Sequence, residues 1–306
     1  LYIWFCFKKL NMQFIFKGLD FGLFKEIAVF SSFLVINIIV DQINWNVDKF
    51  LLGIYQGSIA TAVYGLAAQL NNYYNQMSVT ISSVFIPRVH KLVNENKTDD
   101  VNRLFVKVGR IQFLVLALII SGFVFLGQPF IVIWGGKNYS DSYYIALLLM
   151  LPATIPLVQN LGIEIQRAKN LHRFRSYIYL AVAILNVIFS IPLCKHLSGI
   201  GCAIGTAVSL LIGNGLIMNL FYHKKCGVNI INFWKNIIKI FPAMIAPVIA
   251  GILIKKFAVI DNIYKLGIYV IIYALVYVLS VWFIGLNDYE KNLVKAPIMK
   301  ILKKGG

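Results

Sequence analysis

The stretch VINIIVDQINWNVDKFLLG, Val35 to Gly53, places Asn37, Asp41, Asn44, Asp48 and Lys49 in a run otherwise apolar enough to cross a membrane. The polar positions fall four, three and four residues apart, so Asn37, Asp41, Asn44 and Asp48 share one face of a helix. Asp41 lies near the middle of a span expected over 28–55, and Asp48 sits about 10 Å nearer its end at ~1.5 Å per residue. A charge at the centre of a bilayer costs at least about 2.5–3.5 kcal/mol on insertion scales. The stripe must therefore face protein or a water-filled cavity. Amides and acids can simply hold neighbouring helices together. Four aligned polar groups, two of them acids, favour the wall of a functional cavity.

Composition sets the class. Of the 306 residues, 59% are hydrophobic and 13% charged, and the mean hydropathy is +0.76. Soluble domains carry about 25% charged residues, so most of this chain must face lipid or other apolar helices. The net charge of +17 does not point to nucleic acid, because Lys and Arg occur in short islands between apolar runs, the pattern that orients membrane proteins. Cys6, Cys194, Cys202 and Cys226 show neither zinc-like nor CxxC spacing and read as small apolar fillers. The scrap LYIWFCF before Lys8 and Lys9 is too short to span and lacks a signal-peptide cleavage site. It reads as the end of a membrane helix that begins upstream, which makes this the C-terminal part of a longer protein.

About 20 apolar residues cross the hydrocarbon. On that rule eight complete spans are expected, near 28–55, 59–87, 111–134, 143–165, 176–194, 198–222, 237–257 and 264–286, and no run alternates as a membrane strand would. One set of alternate connections holds 23 of the Lys and Arg residues, the other 5, and Lys49 is the remaining one. The bias places both ends of the chain in the cytoplasm. The outer connections are short and leave no room for an external catalytic domain. On the cytoplasmic side, Val101, Leu104, Phe105 and Val108 share one face after a Thr98 N-cap, which predicts an interfacial helix.

Further polar clusters extend the stripe. In AAQLNNYYNQMSVTISS, Asn71, Asn75, Ser78 and Ser82 repeat the same spacing, and Gln69, Asn72, Gln76 and Ser83 form an adjacent ridge. So many amides suit a ligand rich in hydroxyl and acetamido groups. Tyr73, Tyr74 and Trp45 offer faces for sugar rings or anchors at the membrane interface. Pro152 and Pro156 predict a bend followed by Gln159, Asn160, Glu164 and Arg167. The bend either lines a pathway or is a tolerated kink beside a Glu164–Arg167 pair. Gly201, Gly205, Ser209 and Gly213 form a small-residue ridge for close helix packing. No HExxH, GxSxG, P-loop or paired-His spacing occurs, so neither catalytic residues, nor a metal site, nor a cofactor is expected. His90, His172, His196 and His223 all fall at span ends, where His90 beside Arg88 could meet a phosphate.

The run VDKFLLGIYQGSIATAVYGLAAQL, Val47 to Leu70, resembles a recurrent pattern of polysaccharide flippases, as do SSVFIPRVHKL and SGIGCAIGTAVSL in the same order. The resemblance is to O-antigen-type lipid-linked oligosaccharide flippases of the MATE-like, or multidrug/oligosaccharidyl-lipid/polysaccharide exporter, superfamily. It implies an all-α membrane protein divided into the end of a truncated helix (1–10), a cytoplasmic amphipathic linker (11–27), a second six-helix lobe (28–222), two additional helices (223–286) and a basic cytoplasmic tail (287–306). It further implies a multi-pass protein of the bacterial inner membrane. The transported ligand would be an undecaprenyl-pyrophosphate-linked oligosaccharide, and the partners membrane lipids, the first lobe of the same protein and polysaccharide polymerase machinery. Asn37, Asn44, Lys49, Asn71, Asn75, Gln76, Arg88 and Arg167 become candidates for substrate contact, and Asp41, Asp48 and Glu164 for ion coupling. Where such flippases often carry Asp-Arg, this chain has Asp48-Lys49, which keeps the charge without the bidentate fork.

A drug or cation antiporter of the same superfamily would also use intramembrane acids, and the charge lining the cavity separates the two. A membrane-bound glycan ligase or polymerase would need a large outer loop or a convergent acid/base set, and neither is evident. A scaffold without transport would not need aligned intramembrane acids.

Overall fold

The computed structural model describes residues 20–293 and 295, with the side chains of residues 30, 33, 34, 36, 37, 40, 41, 43–45, 172 and 173 outside that description. The expected helix end at 1–10, the linker up to residue 19 and the tail from 296 onward therefore lie outside the described residues. Among the described residues there is no strand, and the chain is a succession of helices.

Helix α1 (Phe21–Tyr55) opens where the Asp20 carboxylate accepts the N–H groups of Gly22 and Leu23 at 2.8 and 3.3 Å, an N-cap that satisfies otherwise orphaned donors. It ends at a tight joint in which Gly57 adopts φ +83°, a left-handed value a side chain would resist. Helix α2 (Gly57–Ser83) returns antiparallel and is followed by the short α3 (Ile86–Asn94). Helix α4 (Thr98–Gly135) has 38 residues and is about 57 Å long at ~1.5 Å per residue, well beyond one hydrocarbon thickness. Helix α5 (Ser142–Val158) stops two residues after Pro156, and α6 (Leu161–Ala168) continues beyond the break. A long helical run follows: α7 (His172–Leu210), a π-helical turn over 211–218, and α8 (Asn219–Lys224). Helix α9 (Ile230–Ile238) packs against α4, and α10 (Ile245–Phe257) and α11 (Ile263–Ser280) follow, with a π-helical turn over 281–285 and a helical stretch over 288–293 after them.

Among the described residues, five helical stretches are long and apolar enough to cross a membrane: Thr98–Gly135, Lys137–Val158, Phe174–Lys224, Ile230–Phe257 and Ile263–Gly285. The third has 51 residues and is a hairpin. Ser198 breaks it with φ 52° and ψ −135°, and the two limbs pack through the glycine ridge. A β-carbon on Gly201 would collide with the Leu193 carbonyl, one on Gly205 with Ser190, and one on Gly213 with Val182. The small-residue spacing is thus explained by close approach of backbones.

Large apolar side chains such as Ile252, Ile268, Ile271 and Leu275 are exposed on the outside of α10 and α11, which suits a lipid surround. The shared core is built from residues such as Leu52, Ala67, Val108, Leu116, Ala146, Ile165 and Ala203, all fully buried. One expectation is corrected here. Val101, Leu104, Phe105 and Val108 are buried in protein, with the Phe105 ring tilted against Phe233 of α9 at 4.7 Å and Tyr222 of α8 at 6.1 Å between centroids. An apolar stripe looks the same whether lipid or protein covers it, and here α8 and α9 cover it. Thr98 is likewise the first helical residue and makes no cap; Lys97 precedes it with no capping side-chain bond.

Candidate functional site

The polar side chains converge on a cavity of about 460 Å³ bounded by α2, the α5–α6 break and the two limbs of the α7 hairpin. Helix α2 contributes Asn71, Asn72, Asn75 and Gln76, successive turns of the ridge read from the sequence. Asn160 enters from the break, Asn186 from the first limb and Asn214 from the second. The wall therefore carries seven carboxamides, each offering both donors and an acceptor. Asn71 is buried, and its Oδ1 has no hydrogen-bond partner.

The break that admits Asn160 is stabilised from both sides. Pro152 and Pro156 interrupt the α5 ladder, and the Ser78 hydroxyl donates to the Leu157 carbonyl at 2.7 Å. Gln112 in turn donates to Ser78 Oγ at 2.9 Å. Asn160 donates to Ser82 Oγ at 3.1 Å, while Gln159 is turned away and donates to Asn219 Oδ1 at 2.6 Å. Asn219 Oδ1 also accepts from the Trp234 indole at 3.0 Å, so α9 is tied to the same joint.

One cation and no acid line the cavity among the described residues: Arg175, whose guanidinium lies 4.4 Å from the centroid of the Tyr179 ring. Tyr179 donates from its hydroxyl to Asn214 Oδ1 at 3.2 Å. This cation–π contact and hydrogen bond set a cationic plane against an amide wall.

Behind the wall sits Asp48, 1% exposed. Its Oδ2 accepts from the Tyr64 hydroxyl at 2.5 Å and from the Thr206 hydroxyl at 2.6 Å, and its Oδ1 has no partner. Thr206 Oγ1 lies 3.4 Å from Asn186 Oδ1, which also accepts from Ser190 at 2.9 Å. Thr206 and Asn186 both face the cavity, so the Thr206 hydroxyl stands between the acid and the open space, with Ser190 also against Asp48 but not on the wall.

The structure sorts the residues singled out in the sequence. Asn71, Asn75 and Gln76 come together at the cavity with Asn160. The backbone of Asn37, Asp41 and Asn44 is helical in α1, and their side chains lie outside the described residues. Lys49 is half-buried beside Asp48 and is not part of the cavity wall. Arg88 is exposed on α3. Glu164 and Arg167 pair at 2.7 Å, as their spacing suggests, with His90 3.8 Å from the same carboxylate and Arg167 exposed. Tyr74 is buried with its hydroxyl 2.7 Å from Thr154 Oγ1, a packed position rather than a sugar platform. Arg175, Tyr179, Asn186, Thr206 and Asn214 did not stand out in the sequence. Their signal is a helical spacing, 175 with 179 and 206 with 209, 213 and 214, diluted in long apolar runs.

Comparison with known proteins agrees with a polysaccharide-related membrane protein. A family model described as "Polysaccharide biosynthesis protein" matches residues 1–144. The chain is 27% identical over 173 residues, 56% of its length and 41% of the relative's, to a Shigella dysenteriae protein named provisionally as an O-antigen transporter. It is 26% identical over 240 residues, 76% of its length and 47% of the relative's, to EpsK, an uncharacterized membrane protein of Bacillus subtilis (strain 168). The chain thus spans less than half the length of either curated relative. No solved structure matches it.

Proposed function

We propose that this chain is the second lobe, with two additional helices, of a flippase that moves an undecaprenyl-pyrophosphate-linked oligosaccharide across the bacterial inner membrane by alternating access. In this reading eight helices cross the membrane: α1, α2, α4, α5 with its continuation α6, the two limbs of the α7–α8 hairpin, α10 and α11. Both ends of the chain lie in the cytoplasm. The observation that carries the reading is the chemistry of the cavity wall, seven carboxamides and Arg175 without an acid among the described residues. Amides match the hydroxyl and acetamido groups of a glycan, and an arginine matches an anionic group such as a phosphate. The provisional name of the Shigella relative points the same way.

A drug or cation antiporter would place an acid toward its cargo. Asp48, the acid that approaches this cavity among the described residues, lies behind Thr206 and does not line the wall.

The test is export of surface polysaccharide in cells whose own copy of the gene is replaced by variants. Arg175→Gln and Asn75→Leu should each reduce export at least about tenfold at unchanged membrane abundance, with lipid-linked glycan accumulating inside, a loss of about 1.4 kcal/mol or more in the productive interaction. Wild-type export by both variants would overturn the reading.

A further inference from the structure

We infer that Thr206 is the positioning residue through which the protonation of Asp48 is felt in the cavity. The inference rests on the cavity being the ligand site, and it concerns how that site is regulated.

The geometry is one donor placed between two acceptors. Thr206 Oγ1 is 2.6 Å from Asp48 Oδ2 and 3.4 Å from Asn186 Oδ1, and it also borders the cavity. While Asp48 is a carboxylate, the Thr206 proton is held by a charge-assisted bond, roughly twice as strong as a neutral one. The free Oδ1 of Asp48 has no partner and is the atom that takes up a proton. Once that proton has bound, the carboxyl group is neutral and its hold on the Thr206 hydroxyl weakens. The hydroxyl is then released toward Asn186 or toward an acceptor oxygen on a ligand in the cavity. Each state keeps all its atoms and protons; one proton enters from solvent and one hydroxyl rotates.

The titratable neighbours of Asp48 leave this exchange to Asp48 itself. Tyr64 of α2 donates to Oδ2, and Cys194 and Cys202 face it from the two limbs of the hairpin. Lys49 follows it on its own helix, and no Lys, Arg or His among the described residues forms an ion pair with it. A ligand oxygen that accepts from Thr206 therefore binds more tightly when Asp48 is protonated, and by linkage proton and ligand bind with positive cooperativity.

The experiment uses N,N′-diacetylchitobiose, which is neutral across the range tested, as the probe. Its binding to the purified full-length protein in lipid nanodiscs is measured by calorimetry between about pH 5.5 and pH 8.5. For the wild type the Kd should tighten about tenfold toward low pH, a typical coupling between two sites. Thr206→Ser, which retains the hydroxyl, should keep that dependence. Thr206→Val, which has nearly the same shape and no hydroxyl, should bind with a Kd independent of pH. Asp48→Asn, which carries no titratable charge, supplies an independent route should Thr206→Val fail to fold, and its Kd should also be independent of pH. Wild-type pH dependence in Thr206→Val or in Asp48→Asn, or a flat wild-type profile with measurable binding, overturns the inference and leaves the cavity reading standing. Absence of probe binding to the wild type at every pH overturns the cavity reading and the inference with it.

Discussion

Arg110 and Glu290, 180 residues apart, form a buried bidentate ion pair, with Nε and Nη2 of the arginine 2.6 and 2.9 Å from the two carboxylate oxygens. Nη1 reaches the carbonyl of Asn236 at 2.6 Å, and Nη2 also reaches that of Gly285 at 2.8 Å. Glu290 Oε2 also accepts the Asn287 N–H, and Asn287 Oδ1 accepts the Glu290 N–H, a reciprocal capping arrangement. Four segments thus meet at one guanidinium: α4, α9, the π-helical turn over 281–285 that ends the α11 run, and the helical stretch over 288–293 that carries Glu290. Together with Tyr277 donating to the Leu114 carbonyl at 2.7 Å, this clamps the last two long helices to α4. Any rigid-body movement of α4 therefore carries those two helices with it.

Arg110→Ala leaves Glu290 as an uncompensated buried charge, and the loss should be about 3–5 kcal/mol. Thermal unfolding of the purified protein in detergent reads it as a large drop in melting temperature. Removing both charges, as Arg110→Met with Glu290→Leu, should recover part of that loss. A double variant no better than the single one would show that the pair is not what holds the clamp.

Close approach in the hairpin predicts opposite outcomes at two glycines. A β-carbon on Gly201 meets the Leu193 backbone carbonyl, which cannot rotate away as a side chain can. Gly201→Ala should cost at least about 1–3 kcal/mol through overpacking. A β-carbon on Gly65 of α2 would meet nothing within 4 Å, so Gly65→Ala should stabilise the helix by about 0.5–1 kcal/mol. Melting temperatures that move the same way in both variants would contradict the hairpin packing.

Orientation is tested by labelling in a background without native cysteines. Asn138 and Asn94 are both exposed, one on the short joint before α5 and the other at the end of α3. A cysteine at Asn138 should react with an impermeant maleimide from outside intact cells, and one at Asn94 only after the membrane is opened. The reverse pattern would invert the direction of transport proposed above.

What the sequence revealed and what it concealed follow from the range of each interaction. Repeats within one helix were legible: the 71–76 amides, the Gly201–Gly213 ridge, the proline break before Asn160 and the Glu164–Arg167 pair all rest on spacings of one to four residues or their multiples. Contacts between distant segments were not. Nothing near Arg110 announces Glu290, and nothing around Val101 or Phe105 says that α8 and α9 cover them in place of lipid. Asp48 was legible as a charge out of place, but Tyr64 and Thr206, its donors, come from other helices. Thr206, Asn186 and Asn214 are single polar residues among apolar neighbours, where a hydroxyl or amide is as easily explained by a bond to its own helix.

The acids named for ion coupling now separate by environment, which gives a direct comparison. Glu164 sits at the Lys- and Arg-rich end of the molecule, paired with exposed Arg167 and near His90. Glu164 itself is partly buried, but its partner Arg167 is exposed and the pair lies outside the cavity wall, so removing its charge should leave export nearly intact. Asp48 is buried, has one oxygen without a partner and is linked to the cavity through Thr206. Asp48→Asn keeps the shape and replaces the titratable group with an amide, so an Asp48 that only joins helices should tolerate it. An Asp48 that carries a proton during transport should not: the variant should reach the membrane at wild-type abundance while export falls at least about tenfold, equivalent to about 1.4 kcal/mol. Glu164→Gln, measured in the same cells, should export nearly as well as wild type. Equal export by the two variants would remove Asp48 from the coupling step and leave Asp41, on the same face of α1, as the acid to examine.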